Sequence, residues 1–303
     1  MQKDIKTYLR HCFQVILQQW PGWQWSEAEL DELVRRAGKF FVYISTVQRF
    51  VGDPHIADPR SQLDILLDAK TPSDISDYDT SPYHFLDNLY LHLVQKAMPL
   101  SKRKQMLARY QAVVGTIVTI VNPLSIVSLA HLLALRVENV KGALTYLPSV
   151  ISLPTSPDEK PQIYHPSCPE FIKDPNRCKD PDLVIVSSDH HRRLAAQCLV
   201  HMMTHLKRDI CEIRNPSRLH AEAEDLQDKA KQAIPPWLCY TLLPWGTHLD
   251  QTPHRDPEIM AYLQLFCTTS LLHWIEALSI LGRLEVAIMT IGRVQAWAVS
   301  LGP

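Results

Sequence analysis

His201 and His205 stand four residues apart, the spacing that sets two imidazoles on one face of a helix, within reach of a single metal ion. A zincin-type centre also needs a glutamate after the first histidine as general base, and Met202 occupies that position. A third ligand from His190, His191 or Cys198 would complete a centre. A metal-dependent enzyme built on the His190, His201 and His205 cluster is therefore one candidate, set against ordinary helical histidines. Ser187-Ser188-Asp189-His190 holds the residue types of a hydrolase triad, but no nucleophile elbow accompanies it. Ser188 or Asp189 as a helix cap accounts for that run. A phosphate-binding loop needs clustered glycines and a following lysine. The one Gly-Lys step, Gly38-Lys39, has Leu33 five positions before the glycine and falls inside an expected long helix. No complete catalytic site is legible, so the expectation is a protein that is not an enzyme and holds no metal.

The elements that would position these residues are helices. The 303 residues are 46% hydrophobic and 21% charged, ordinary for a globular protein, with only nine glycines and a net charge of −1. That balance gives no electrostatic reason to expect nucleic acid or an anionic membrane as partner. Seven scattered cysteines without a Cys-x-x-Cys pair, no leader-like apolar run and no glycosylation acceptor point to buried free thiols and a cytoplasmic location. Val113 to Leu135 is long and apolar enough to raise a membrane span, but Asn122-Pro123 interrupts it. Two buried helices joined by a turn are expected there.

Apolar periodicity predicts a first helix with Ile5, Tyr8, Leu9, Cys12, Phe13 and Ile16 on one face, closed at Trp20-Pro21-Gly22. Ser26 and Glu29 form a capping box that opens a long helix through Leu30, Leu33, Ala37, Phe41 and Val47. Asp58-Pro59 starts a short helix. Thr71 to Pro82 reads as a polar linker, Phe85 to Val94 as another helix, and Ser101 as the cap of the next. A short helix through Val140 and Leu144 precedes Ser149 to Leu153 and Gln162 to His165, which read as two strands around the turn Pro154 to Pro161. Helices followed by one β-hairpin outline a winged helix. Helices are then expected over 191–210, 236–249, 260–281 and 284–299. The fold class is mainly α. Lys102-Arg103-Lys104 and Arg192-Arg193 make a winged-helix DNA-binding protein a further alternative, although no recognition helix is basic along its face.

Four ordered blocks carry a family resemblance. Ile163-Tyr-His-Pro-Ser-Cys-Pro-Glu-Phe-Ile-Lys-Asp-Pro-Asn-Arg-Cys178 resembles a conserved block of fungal NACHT-type STAND proteins, which are NLR-like signalling switches. His191 to Leu199 with Arg208 to Cys211 is similar to the helical block that follows it, and Phe40 to Phe50 is similar to a helix upstream of the winged helix. Leu271 to Leu281 resembles a late helix. The resemblance implies a helical lid remnant (1–82), a winged-helix-like domain (83–178) and a helical domain (179–303), which close over a nucleotide held by an upstream P-loop domain. It implies a role in signal transduction and innate immunity, with a NACHT domain or WD40 region as protein partner, while the charge balance and the Asn122-Pro123 break give the expectation of no nucleic acid and no membrane. ATP or ADP would enter only with a P-loop domain supplied by a longer chain or a partner. His165 matches the winged-helix histidine that contacts nucleotide phosphates. Cys168 and Pro169 depart from the family pattern. With neither the P-loop nor WD40 repeats within these residues, a truncated regulatory module is expected, with an inactive gene fragment as the remaining alternative.

Overall fold

The computed structural model describes residues 2–54, 57–68, 83–96, 98, 103–145, 147–214 and 225–299. In chain order the first elements are α1 (Gln2–Gln19), α2 (Glu27–Ala37), α3 (Phe41–Val51), α4 (Pro59–Asp68), α5 (His84–Lys96), α6 (Arg103–Ile117), α7 (Ile126–Leu132) and α8 (Val137–Leu144). Two short strands follow, β1 (Ile151–Ser152) and β2 (Gln162–Ile163), then α9 (Ser167–Lys173) and α10 (Ser187–His205). The remainder is α11 (Leu226–Ala233), α12 (Pro236–Leu242), α13 (Trp245–Leu249), α14 (Pro257–Thr269), α15 (Leu271–Ile280) and α16 (Leu284–Val299). Among the described residues the protein is thus mainly helical with one small antiparallel sheet, in which Ile151 pairs with Ile163 and Ser152 with Gln162.

The chain forms two compact units, each assembled from separated stretches. Met1–Leu107, Gly142–Leu153 and Gln162–Val184 make the first, and Ala108–Lys141, Pro154–Pro161 and Ile185–Pro303 the second.

In the first unit α1 buries Ile5, Leu9, Cys12, Phe13 and Ile16 against α2 and α3, the face its periodicity predicts except for Tyr8, which is half-buried. The capping box of α2 is formed: Ser26 Oγ accepts from the Glu29 N–H, and the Glu29 carboxylate accepts from the Ser26 N–H at 2.6 Å. The single long helix expected from Ser26 is two helices instead. Gly38 sits at φ +55°, where glycine is tolerated and most residues are strained, and its N–H closes α2 on Val34 and Arg35. α4 starts as Asp58-Pro59 predicts, with the Asp58 carboxylate accepting from the Ser61 N–H at 3.1 Å. α9 packs on α5 and was not expected.

In the second unit α10 is the central helix, contacting α7, α12, α13 and α14, while α16 packs on α13 and α15. Trp245, Phe266 and Trp274 meet edge-on, and Trp274 Nε1 donates to the Leu242 carbonyl at 2.9 Å. Asn122-Pro123 separates α6 from α7, as expected. Among the described residues no helix is long and apolar enough to cross a membrane. Two expected helices are broken. Pro244, which has no N–H to give, divides 236–249 into α12 and α13. Ser270 divides 260–281 where the Thr268 and Thr269 hydroxyls fold back onto the Leu265 carbonyl. α10 begins at Ser187 with Val186 as its cap and no side-chain bond, so Ser188 and Asp189 lie in its first turn instead of capping it. α11 was also unexpected. The linker Thr71 to Pro82, the cap Ser101 and Lys102 lie outside the described residues.

Candidate functional site

His165 follows β2 directly, where the Tyr164 N–H donates to the Val150 carbonyl at 3.1 Å, and two residues before α9 begins. It is exposed, while Ser167 is 4% exposed and Tyr90 of α5 only 1%. The Ser167 N–H donates to His165 Nδ1 at 3.1 Å, and Ser167 Oγ lies 2.8 Å from the same nitrogen. Behind it, the Tyr90 hydroxyl is 2.8 Å from Ser167 Oγ. Burial pushes the Tyr90 phenol up to about 12, so it stays a hydroxyl beside Ser167. A nitrogen that accepts from a backbone N–H carries no proton of its own. The neutral imidazole of His165 is therefore the Nε2–H form, with its one donor on the side away from Ser167. Such a group can donate to an anion, while the serine hydroxyl on its other nitrogen is buried with Tyr90.

The surrounding block is anchored inward. Arg177 forks onto the Asp87 carboxylate, with Nη2 to Oδ1 at 2.7 Å and Nε at 3.1 to 3.2 Å, and its guanidinium lies 4.7 Å from the Tyr83 ring centroid. Arg49 of α3 stacks 3.9 Å over the ring of Tyr164, next to His165. Cys168 is buried and its thiol is pushed up to about 12, which removes it as a nucleophile at neutral pH. Burial also raises Cys12, Cys178, Cys198, Cys211 and Cys239.

The other candidate histidines, His190, His191, His201 and His205, all in the second unit, are divided among three places on α10. His190 is 4% exposed, with Nε2 3.3 Å from Gln111 Oε1, and its ring lies against the backbone of Gly115. His201 and His205 do share a face, with ring centroids 5.8 Å apart, and Trp237 stands edge-on to both. His131 stacks on the same indole, and His201 Nε2 donates to the Leu132 carbonyl at 3.0 Å. His190 is eleven positions before His201, about 16 Å along the helix, so the three histidines of the alternative reading are not brought together. Among the described residues no group of three His, Cys, Asp or Glu side chains is arranged to hold a metal ion.

His191 instead joins a chain that the sequence did not disclose. Its Nδ1 is 2.9 Å from Nδ1 of His248 on α13, and His248 Nε2 is 2.7 Å from the Tyr240 hydroxyl of α12. The Val121 N–H reaches the same hydroxyl oxygen at 3.3 Å. One assignment uses every donor: Val121 donates to Tyr240, Tyr240 to His248 Nε2, and His248 Nδ1–H to His191 Nδ1. Burial and then the neighbouring His191 hold His248 down to about 3, and burial raises Tyr240 above its usual range. In the two basic runs, Arg103 bonds Asp180 and Asp182, and Arg192 bonds Glu258.

No protein-family model matches the chain, and no curated protein or solved structure matches it either.

Proposed function

We propose that this chain is a non-catalytic regulatory and interaction module of the STAND type, the part of a cytoplasmic nucleotide switch that closes over a nucleotide held elsewhere. The observation that carries it is the tautomer of His165. Ser167, backed by buried Tyr90, occupies Nδ1 and leaves Nε2–H as an exposed donor suited to a phosphate oxygen. The β1–β2 hairpin beside it supports the winged-helix assignment of 83–178, flanked by a lid remnant in 1–82 and a helical domain in 179–303. The partner is then a protein with a P-loop domain of NACHT type, and no cofactor resides in the chain.

A lone imidazole donor cannot hold a nucleotide by itself, because tight binding of the triphosphate needs several cradling N–H groups and a lysine. Titration calorimetry and a phosphate-release assay on the purified chain are expected to show no micromolar ATP or ADP binding and no turnover. Binding at micromolar concentration, or turnover that follows the chain through purification and disappears on its mutation, overturns the proposal.

A further inference from the structure

Four helices of the first unit, α2 to α5, surround a cavity of about 30 Å³. Its polar walls include Arg36 of α2, Tyr43 of α3 and His92 of α5, and its apolar walls Leu66, Phe85 and Leu89. Arg36 is 8% exposed and Tyr43 3%. His92 Nε2 is buried and has no hydrogen-bond partner among the described residues. A buried ring nitrogen in that state is costly, and a ligand in the cavity would relieve it.

The charge around this cavity is unbalanced. The Glu32 carboxylate bonds Arg35 at 2.6 Å and Arg36 at 2.6 Å, so one negative charge serves two positive ones. Arg35 and then Arg36 hold Glu32 down to about 2, and it is fully charged at neutral pH. Arg35 also lies over the ring of Phe85, 5.4 Å from its centroid. Arg36 gives three of its five N–H groups to Glu32 and to the Leu66 and Leu67 carbonyls, the last two at 2.6 and 3.0 Å. One N–H on each terminal nitrogen is left over. A buried guanidinium whose carboxylate is shared keeps a net positive charge out of water, which an anion would offset. The charges that act on the Tyr43 phenol are the same three residues, and burial raises it to about 12, so it keeps its proton. Burial and then Lys96 lower His92 from its usual range, so its ring is neutral at neutral pH.

We propose that this cavity binds a small carboxylate, its oxygens held by Arg36 and Tyr43 and its short carbon tail set against Leu66, Phe85 and Leu89. The paired N–H groups of a guanidinium match the two oxygens of a carboxylate. The Tyr43 hydroxyl adds a donor, and His92 in its Nε2–H form supplies another, which gives its orphaned nitrogen a partner. The volume has room for about two water molecules, which limits the tail to one or two carbons. Acetate and propionate meet that limit, and benzoate exceeds it. Phosphate is a poor match, because a tetrahedral dianion brings more bulk and more charge than the single positive charge left over. With so few atoms to contact, the affinity is weak, on the order of 1 mM. His165 is not among the walls, so the site holds whether or not the chain meets a nucleotide.

The test is an NMR titration of the full chain, isotope-labelled at its histidine rings, at neutral pH. Sodium acetate is compared with sodium chloride at equal ionic strength. The His92 ring signal, assigned as the one missing from His92→Gln, is expected to shift with acetate and to saturate on the order of 1 mM. Propionate should act as acetate does, whereas chloride, benzoate and inorganic phosphate should leave the signal in place. Tyr43→Phe removes one donor and keeps the ring. It is expected to weaken acetate binding about tenfold, with far-UV circular dichroism unchanged. The titrations of the unaltered chain decide the matter even where that variant does not fold. No saturating shift with acetate means that the cavity holds only water, and it overturns the proposal. So does an equal response to chloride, benzoate or phosphate, or full acetate affinity in a folded Tyr43→Phe.

Discussion

The imidazoles of His165 and His248 show how two residues of one type are given opposite tasks. His165 has one nitrogen tied to Ser167 and the other at the surface, so its environment fixes a tautomer and leaves a donor for use. His248 is 0% exposed, with Tyr240 on one nitrogen and His191 on the other, and the pair has room for one proton between its Nδ1 atoms. A measurable pH dependence follows from His248. An unfolded histidine titrates near 6.5, whereas the folded chain holds His248 at about 3. Between those values the unfolded chain binds the additional proton, so this stabilisation is complete above about 6.5 and is lost progressively as the pH falls toward 3. Carboxylates held low by partners, such as Glu32 at about 2, act only below about 4.5, so the interval from 6.5 to 5 isolates the imidazoles. The melting temperature is expected to drop by several degrees over that interval, and His248→Asn to flatten the slope. An equal slope in both proteins would assign the effect elsewhere. None of this was legible beforehand, because His248 lies 57 positions from His191 and Tyr90 lies 77 from Ser167. The spacing of His201 and His205 was legible, and it does place them together. Their nearest partners are the Trp237 ring and the Leu132 carbonyl, which no local pattern announces.

Among the helices, the elements marked by side-chain chemistry at their ends were readable and those broken from within were not. Ser26 with Glu29, Asp58-Pro59 and Asn122-Pro123 each name a boundary in adjacent residues, and each boundary stands where it was expected. The break at Gly38 interrupts an apolar period that continues on both sides, so only the backbone angle reveals it. Pro166 and Pro169 hid α9, although proline is well placed in a helix's first turn. Helix contacts add a constraint of their own at Gly115 of α6. A methyl group built there would lie 2.1 Å from His190 Cε1 of α10, far inside contact distance. Gly115→Ala is expected to cost about 1–3 kcal/mol in chemical denaturation. His190→Ala in the same chain should recover part of that loss, so that the two changes are not additive. Strict additivity would mean that the imidazole is not what the methyl group displaces.

Across the whole molecule, the alternation of the two units matters more than any boundary drawn along the sequence. Each unit takes three stretches of chain in turn, so the chain passes between them five times. Ending the chain at residue 178, where the sequence blocks suggest a division, keeps nearly all of the first unit. It leaves 108–141 and 154–161 without the helices of 185–303 that complete the second. Val113, Leu129 and Leu132, each fully buried in the intact chain, would then face water. That shortened protein is expected to aggregate and melt without a cooperative transition, as followed by light scattering and calorimetry. A monomeric, sharply melting 1–178 would show that those helices find shelter within their own stretch. The same alternation sets a schedule during synthesis. α7 packs against α12, about a hundred residues later in the chain, which at a synthesis rate of about 5–20 residues per second means waiting about 5–20 s for its partner. Over that time the apolar side of α7 belongs to no finished core, and it is the stretch of nascent chain where a chaperone would have the most to hold.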